Sequence, residues 1–204
     1  MGSGPSVDDG EGDQAAETSA QGLTLIWQIA DPAWREASLL INAFATGDRS
    51  GLARITHALG SSSAPGGALH GEATVRFADD QDVRALNATY RERDAATNVL
   101  SFPAGAEDPD YIGDIIIARE TTVAEASAAA LPVDDHLTHL IVHGILHLAG
   151  LDHETDTDAT RMEAVERSVL ASLHIADPYA DRDQTVEDGA AMPHSEGAAF
   201  RRDA

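Results

Sequence analysis

Three histidines, His143, His147 and His153, have the types and spacing that point most directly to chemistry. Residues four apart on an α-helix are rotated by only about 40°, so on a helix His143 and His147 project from one stripe, a turn apart, where a single ion can reach both. Leu140, Ile141, Val142, Ile145, Leu146 and Leu148 make this stretch apolar nearly all round, the pattern of a buried helix. Gly150 is placed to end it in a left-handed cap, after which the chain can return His153 toward the same point. Three imidazoles at about 2.0 to 2.1 Å leave one tetrahedral position open, as in catalytic rather than structural zinc. The chain has no Cys, which leaves His, Asp and Glu as its strong ligands. Imidazole donors suit copper and nickel as well as zinc.

The residue after the first histidine separates two chemistries. In zinc peptidases of the HExxH kind a Glu there is the general base, but here it is Gly144, which cannot move a proton. Three neutral ligands also leave the full 2+ charge of an ion in place, which favours an anionic substrate such as a phosphodiester. A metallopeptidase is therefore disfavoured, and a phosphate ester is the expected substrate class.

A second cluster lies at Leu86-Asn87, Tyr90-Arg91 and Arg93-Asp94. On a helix, Val83, Leu86 and Tyr90 form the core face, with Arg84, Asn87 and Arg91 on a stripe about a quarter turn away. Spacing leaves two readings open: a solvated face paired with Asp82, Glu92 and Asp94, or a substrate contact. His139, one turn before His143, is either a substrate or support group or a packed histidine. Asp114 and Asp152 either orient ligands or shape turns. His57, His70, His136, His174 and His194 show no ligand spacing.

These residues need elements to position them. Leu23 to Ala30 reads as a strand, and Asp31 with Pro32 opens a helical stretch to about Ala45. Glycines, serines and Pro65 make residues 47 to 71 a loose connection around a short helical piece. Glu72 to Phe77 alternates as a strand, Asp79 or Asp80 caps a helix to about Arg91, and Asn98 to Phe102 is a short strand. Gly113 to Ala118 reads as a strand buried on both faces. Helices follow at Thr121 to Ala130, Val133 to Ala149 and about Thr157 to Leu173. Strands mixed with helices, without strict alternation, indicate an α+β or irregular α/β domain.

The length of 204 residues fits one domain with a sizeable core. Residues 1 to 22 and 178 to 204 are polar mixtures expected to be disordered acidic tails around a domain at 23 to 177. No apolar run is long enough for a membrane span and no secretory signal is evident, so the expected compartment is the cytoplasm. All 13 cationic residues are Arg, and the net charge of −22 argues against broad attraction to nucleic acid, so any RNA contact must be local.

Taken together, Leu86-Asn87, Tyr90-Arg91, Thr97-Asn98-Val99-Leu100-Ser101-Phe102-Pro103, Gly113-Asp114-Ile115 and His143-Gly144-x-Leu146-His147-Leu148-x-Gly150-x-Asp152-His153 resemble the bacterial YbeY endoribonuclease family, the rRNA maturation factors. The resemblance covers about residues 23 to 177. It implies a zincin-like α+β single domain, with a small mixed sheet packed by about five helices. One Zn2+ per chain on His143, His147 and His153 is implied, with Arg91 as the functional arginine. It further implies cleavage of single-stranded RNA, 16S rRNA and the small ribosomal subunit as partners, and neither membrane nor DNA binding. A ribosome-assembly module whose metal is mainly structural is the alternative. Arg93 in place of a usual Lys, Leu151 in place of a common aromatic, and a long connection through residues 47 to 71 depart from the family pattern.

Overall fold

The computed structural model describes residues 13–62, 68–105, 107–108 and 110–180. Five strands form one mixed sheet: β1 (Gln14–Thr18), β2 (Leu23–Ile29), β3 (Gly71–Ala78), β4 (Val99–Pro103) and β5 (Tyr111–Ala118), in the order β1-β2-β3-β5-β4. The central strands β2, β3 and β5 run parallel, and β1 and β4 pair antiparallel at the two edges. Among the described residues, seven helices complete this α+β domain: α1 (Trp34–Ala37), α2 (Leu39–Ala45), α3 (Ser50–Gly60), α4 (Asp80–Arg91), α5 (Arg119–Ala128), α6 (Val133–Leu148) and α7 (Asp156–Ser172). No described helix is long and apolar enough to cross a membrane.

Alternation along the strands divides the core. Ile115 and Ile117 of β5 pack on the main cluster with Leu137, Ile141, Ile145 and Leu146 of α6. Leu100 of β4 joins Val83 of α4 in a second cluster with Ala78 and Ala118, packed by Phe102 and Ile116. Because neighbouring strand residues face opposite ways, α4 and α6 flank the sheet on its two sides at the β4 edge. Trp27, Trp34 and Phe77 anchor the other end. Trp27 stacks on Phe77 at 6.2 Å, Trp34 meets it edge-on at 5.7 Å, and Trp34 Nε1 donates to the Ala78 carbonyl at 2.9 Å.

Several sequence expectations are corrected here. The stretch from Asp31 to Ala45 is two helices broken at Ser38, which is extended at φ −134°. Ser38 Oγ accepts from Ile41 N at 3.1 Å and donates to Asp134 of α6 at 2.6 Å, while Leu40 N also donates to Asp134. The break is thus set by a residue nearly a hundred positions away. The loose connection contains the full helix α3, with Leu52, Ile55 and Leu59 buried. These two differences raise the helix count from about five to seven.

Both expected tail boundaries also move. Residues 14–18, placed in the N-terminal tail, form β1 and hydrogen-bond to β2 from Thr24 to Gln28. A short polar edge strand needs no apolar periodicity when its backbone does the pairing, which is why composition concealed it. Beyond residue 177, Tyr179 is buried. The remainder of the expected tails, residues 1–12 and 181–204, lies outside the described residues, as does His194.

Candidate metal centre

α6 begins after Pro132, with Asp134 and Asp135 in its first turn where the helix dipole favours acids. Its apolar face meets the sheet so closely at Gly144 that a Cβ there would lie 2.9 Å from Ile115 Cγ2 and 3.3 Å from Ser101 Oγ. Close approach explains the glycine in mid-helix. It also shows that position 144 faces β5, so a glutamate there would meet the sheet.

His143 and His147 occupy the adjacent, partly exposed stripe. The helix ends as the sequence indicated: Gly150 adopts φ 85°, and Leu151 N returns to the Leu146 carbonyl at 3.0 Å. That reversal carries His153 back, so that its ring centroid lies 5.0 Å from that of His147 and 5.4 Å from that of His143. One ring nitrogen from each of the three lies within 4.8 Å of the others.

The hydrogen bonds behind the rings define which nitrogens are free. His143 Nδ1 lies 2.7 Å from Glu166 Oε1, and His147 Nδ1 lies 3.1 Å from the Leu151 carbonyl. Each Nδ1 thus faces an acceptor, and a neutral ring held that way turns its Nε2 lone pair toward the site. These two Nε2 atoms face one another at 3.1 Å. Two ligands of a tetrahedral ion with bonds of about 2.05 Å stand roughly 3.3 Å apart, close to that separation. The donor set fits a cation of that class. Burial, and then the neighbouring His143 and His153, push the His147 imidazole down to about 4, so it stays in its neutral, ligating form at neutral pH.

Glu166 was not singled out by the sequence reading. It projects from α7 and is fully buried. Burial opposes its charge, but the imidazoles of His139 and His143 outweigh that and hold the carboxyl well below the usual carboxylate range. Tyr179 Oη donates to its second oxygen, Oε2. The signal was present in the sequence, since Glu166 falls on the helical stripe of Met162, Val165, Val169 and Leu170, which is otherwise apolar. His139, His143 and Glu166 also cluster with ligand-type atoms close together. However, the 2.7 Å between His143 and Glu166 is a hydrogen bond, and the group buttresses His143.

The other candidates separate by contact. His139 Nε2 is buried 3.9 Å from Glu166 Oε2, without a hydrogen-bond partner, on the support side of His143. Asp152 accepts from the His153 backbone N–H at 2.7 Å, shaping the turn rather than a ring. Asp114 accepts from Tyr111 Oη at 2.6 Å. His136 pairs with Glu125 at 2.9 Å, and His174 follows the Leu173 cap of α7 in the left-handed region at φ 64°.

Arg91 closes α4 before Glu92, which is left-handed at φ 56°. Of its expected carboxylate partners, Asp94 is held by Arg84 at 2.6 and 2.9 Å, and Asp82 lies 3.8 Å from Arg76. Among the described residues no carboxylate pairs with Arg91. Its Nη2 donates to the Ser101 carbonyl at 3.3 Å, and Ser101 Oγ donates to the Gly144 carbonyl, also at 3.3 Å. Two hydrogen bonds thus link Arg91 to the residue beside His143, and burial followed by the charge of Arg93 lowers its pKa. Nε is buried without a partner.

The chain is similar to several known proteins. The family model for endoribonuclease YbeY matches residues 50–174. Two proteins named endoribonuclease YbeY from Rhodopseudomonas palustris, strains BisB5 and BisA53, are each 52% identical over 124 residues. The alignments cover 55% and 57% of this chain, and 64% and 72% of those proteins. A protein of the same name from Rhizobium meliloti is 50% identical over 116 residues, 54% of this chain and 69% of its own length. A solution structure of a Thermotoga maritima protein aligns over 82% of this chain and 96% of its own with a TM-score of 0.46 and 20% identity. With more than half of its length matched by the family model, and relatives at about half identity, the chain belongs to the endoribonuclease YbeY family.

Proposed function

We propose that this protein is a metal-dependent endoribonuclease of the cytoplasm that cleaves single-stranded RNA, acting in 3′-end maturation of 16S rRNA and in quality control of the small ribosomal subunit. His143, His147 and His153 hold one zinc ion per chain. The observation that carries the reading is the convergence of three imidazoles, two of which have Nδ1 committed to an acceptor and Nε2 turned inward.

Zinc in this donor set supplies Lewis acidity toward a phosphodiester. The surrounding residues do the rest. Neutral imidazoles leave the ion's charge uncompensated, so an anionic backbone is favoured over a neutral peptide. Gly144 offers no general base and its open side faces Ile115, which removes the usual peptidase device. The Arg91 fork has donors not taken by any described carboxylate, a planar arrangement that suits two phosphate oxygens. With a net charge of −22, attraction of RNA is confined to this locality.

The test is cleavage of single-stranded RNA by metal-loaded protein beside a His143→Ala, His147→Ala variant, with elemental analysis of untagged protein. One zinc per chain and cleavage lost in the variant are expected. Equal cleavage by both proteins would remove the reading.

A further inference from the structure

α7 does not end the fold. His174, in the left-handed region at φ 64°, reverses the chain, and Ile175 N returns to the Leu170 carbonyl at 3.0 Å. Asp177 then accepts from Tyr179 N at 2.8 Å and pairs with Arg167 Nε at 3.1 Å, while the Arg167 guanidinium lies 5.1 Å from the Tyr179 ring centre. The result is a short strap folded back along α7. It brings the buried Tyr179 hydroxyl onto Glu166 Oε2, and the Tyr179 ring edge-on to His139 at 5.9 Å.

We infer that Tyr179 is a positioning residue for the metal centre, acting through Glu166 on His143. This rests on the three-histidine metal reading above. Glu166 has two oxygens in a dry site. Oε1 holds His143 Nδ1–H, and Oε2 holds Tyr179 Oη–H. Without the tyrosine, Oε2 loses its hydrogen bond, and the carboxylate can turn toward His139 Nε2, 3.9 Å away and without a hydrogen-bond partner. His143 then loses the acceptor that fixes its tautomer and ring plane, and a ligand's outer support sets much of its affinity for the ion. Tyr179 lies just beyond residue 174, where the family match ends.

The test uses the full chain, stripped of metal and titrated with zinc against a chromophoric chelator, with long-range 15N spectra of the histidine rings recorded on the metal-free protein. Tyr179→Phe keeps the ring that packs on His139 and Arg167, and Glu166→Gln is the second variant. Tyr179→Phe is expected to weaken zinc binding about tenfold, the low end for loss of outer-sphere support. The His143 signals should move from a defined Nδ1–H form toward tautomer averaging. The double variant should match Glu166→Gln alone, because both changes act on one path, whereas a merely structural tyrosine would add its own loss. Unchanged zinc affinity and His143 spectrum in Tyr179→Phe, or full additivity in the double variant, would overturn the inference and leave the three-histidine site standing. A wild-type chain that takes up no zinc, yet whose His143 tautomer still responds to Tyr179→Phe, would sink the metal reading and keep the path.

Discussion

Glu166 Oε1 lies 2.7 Å from His143 Nδ1, so a carboxylate in the middle of α7 is answered by an imidazole of α6. The pair is a tertiary bond between a fully buried carboxylate and a partly buried imidazole. Glu166→Ala should therefore destabilise the metal-free protein by about 3 kcal/mol or more, since it strands buried donors and leaves a void. Urea unfolding monitored by tryptophan fluorescence reads this directly, and a change below about 0.5 kcal/mol, the level of a surface substitution, would contradict the burial.

Acid should loosen the metal-free protein before it titrates most carboxylates. The His147 imidazole is lowered from 6.5 to about 4 in the folded state. Between those values the unfolded chain binds a proton that the folded chain does not, so stability falls as pH drops through that window. Unfolding midpoints measured from pH 7 to pH 4 should show this slope in the wild type and a flatter one in His147→Gln. Parallel slopes would mean that the ring titrates normally.

Arg91→Ala should keep its zinc and its fold but slow RNA cleavage by on the order of 10² to 10³, the usual effect of losing one preorganised donor at developing charge. Arg91→Lys should restore little, because an ammonium cannot reproduce a two-pronged contact. Metal content, melting temperature and single-turnover cleavage measured on the same samples decide the point. Wild-type turnover in Arg91→Ala would reduce Arg91 to a clip on Ser101.

Gly144→Ala adds one methyl where Ile115 Cγ2 would stand 2.9 Å from the new carbon. Alanine favours a helix by roughly 1 kcal/mol over glycine, but overpacking against a stiff β-branched side chain costs about 1 to 3 kcal/mol. The net expectation is a lower melting temperature. A more stable variant would show that α6 can lift from the sheet freely.

Truncation tests the domain limits. A fragment of residues 13–180 keeps β1 and Tyr179 and should melt close to the full chain. A fragment of residues 23–177 exposes the edge of β2 and removes the Tyr179 bond to Glu166, so it should melt several degrees lower. Equal melting of the two fragments would restore the narrower boundaries.

What could be read from the sequence followed from locality. The His143 and His147 spacing, the Gly150 reversal and the Asp79 cap, which accepts from Asp82 N at 2.8 Å, are decided within a few residues and leave a local pattern. The break at Ser38 depends on Asp134, β1 depends on a neighbour's backbone, and Glu166 and Tyr179 matter because α7 docks on α6. Of these only Glu166 leaves a local trace, as the one charged residue on the apolar stripe of α7. Arg91 lies between the two cases: its helix was legible, but its freedom from carboxylates depended on Arg84 reaching Asp94 first.

The three imidazoles come from one helix-and-turn stretch, whereas the groups behind His143 are Glu166 and, through it, Tyr179. A short peptide spanning residues 137–155 would therefore own every proposed ligand and none of the scaffolding around His143. The gap between its zinc affinity and that of the whole protein would measure, in one number, how much of the grip on the ion is lent by the docking of α7 and its strap.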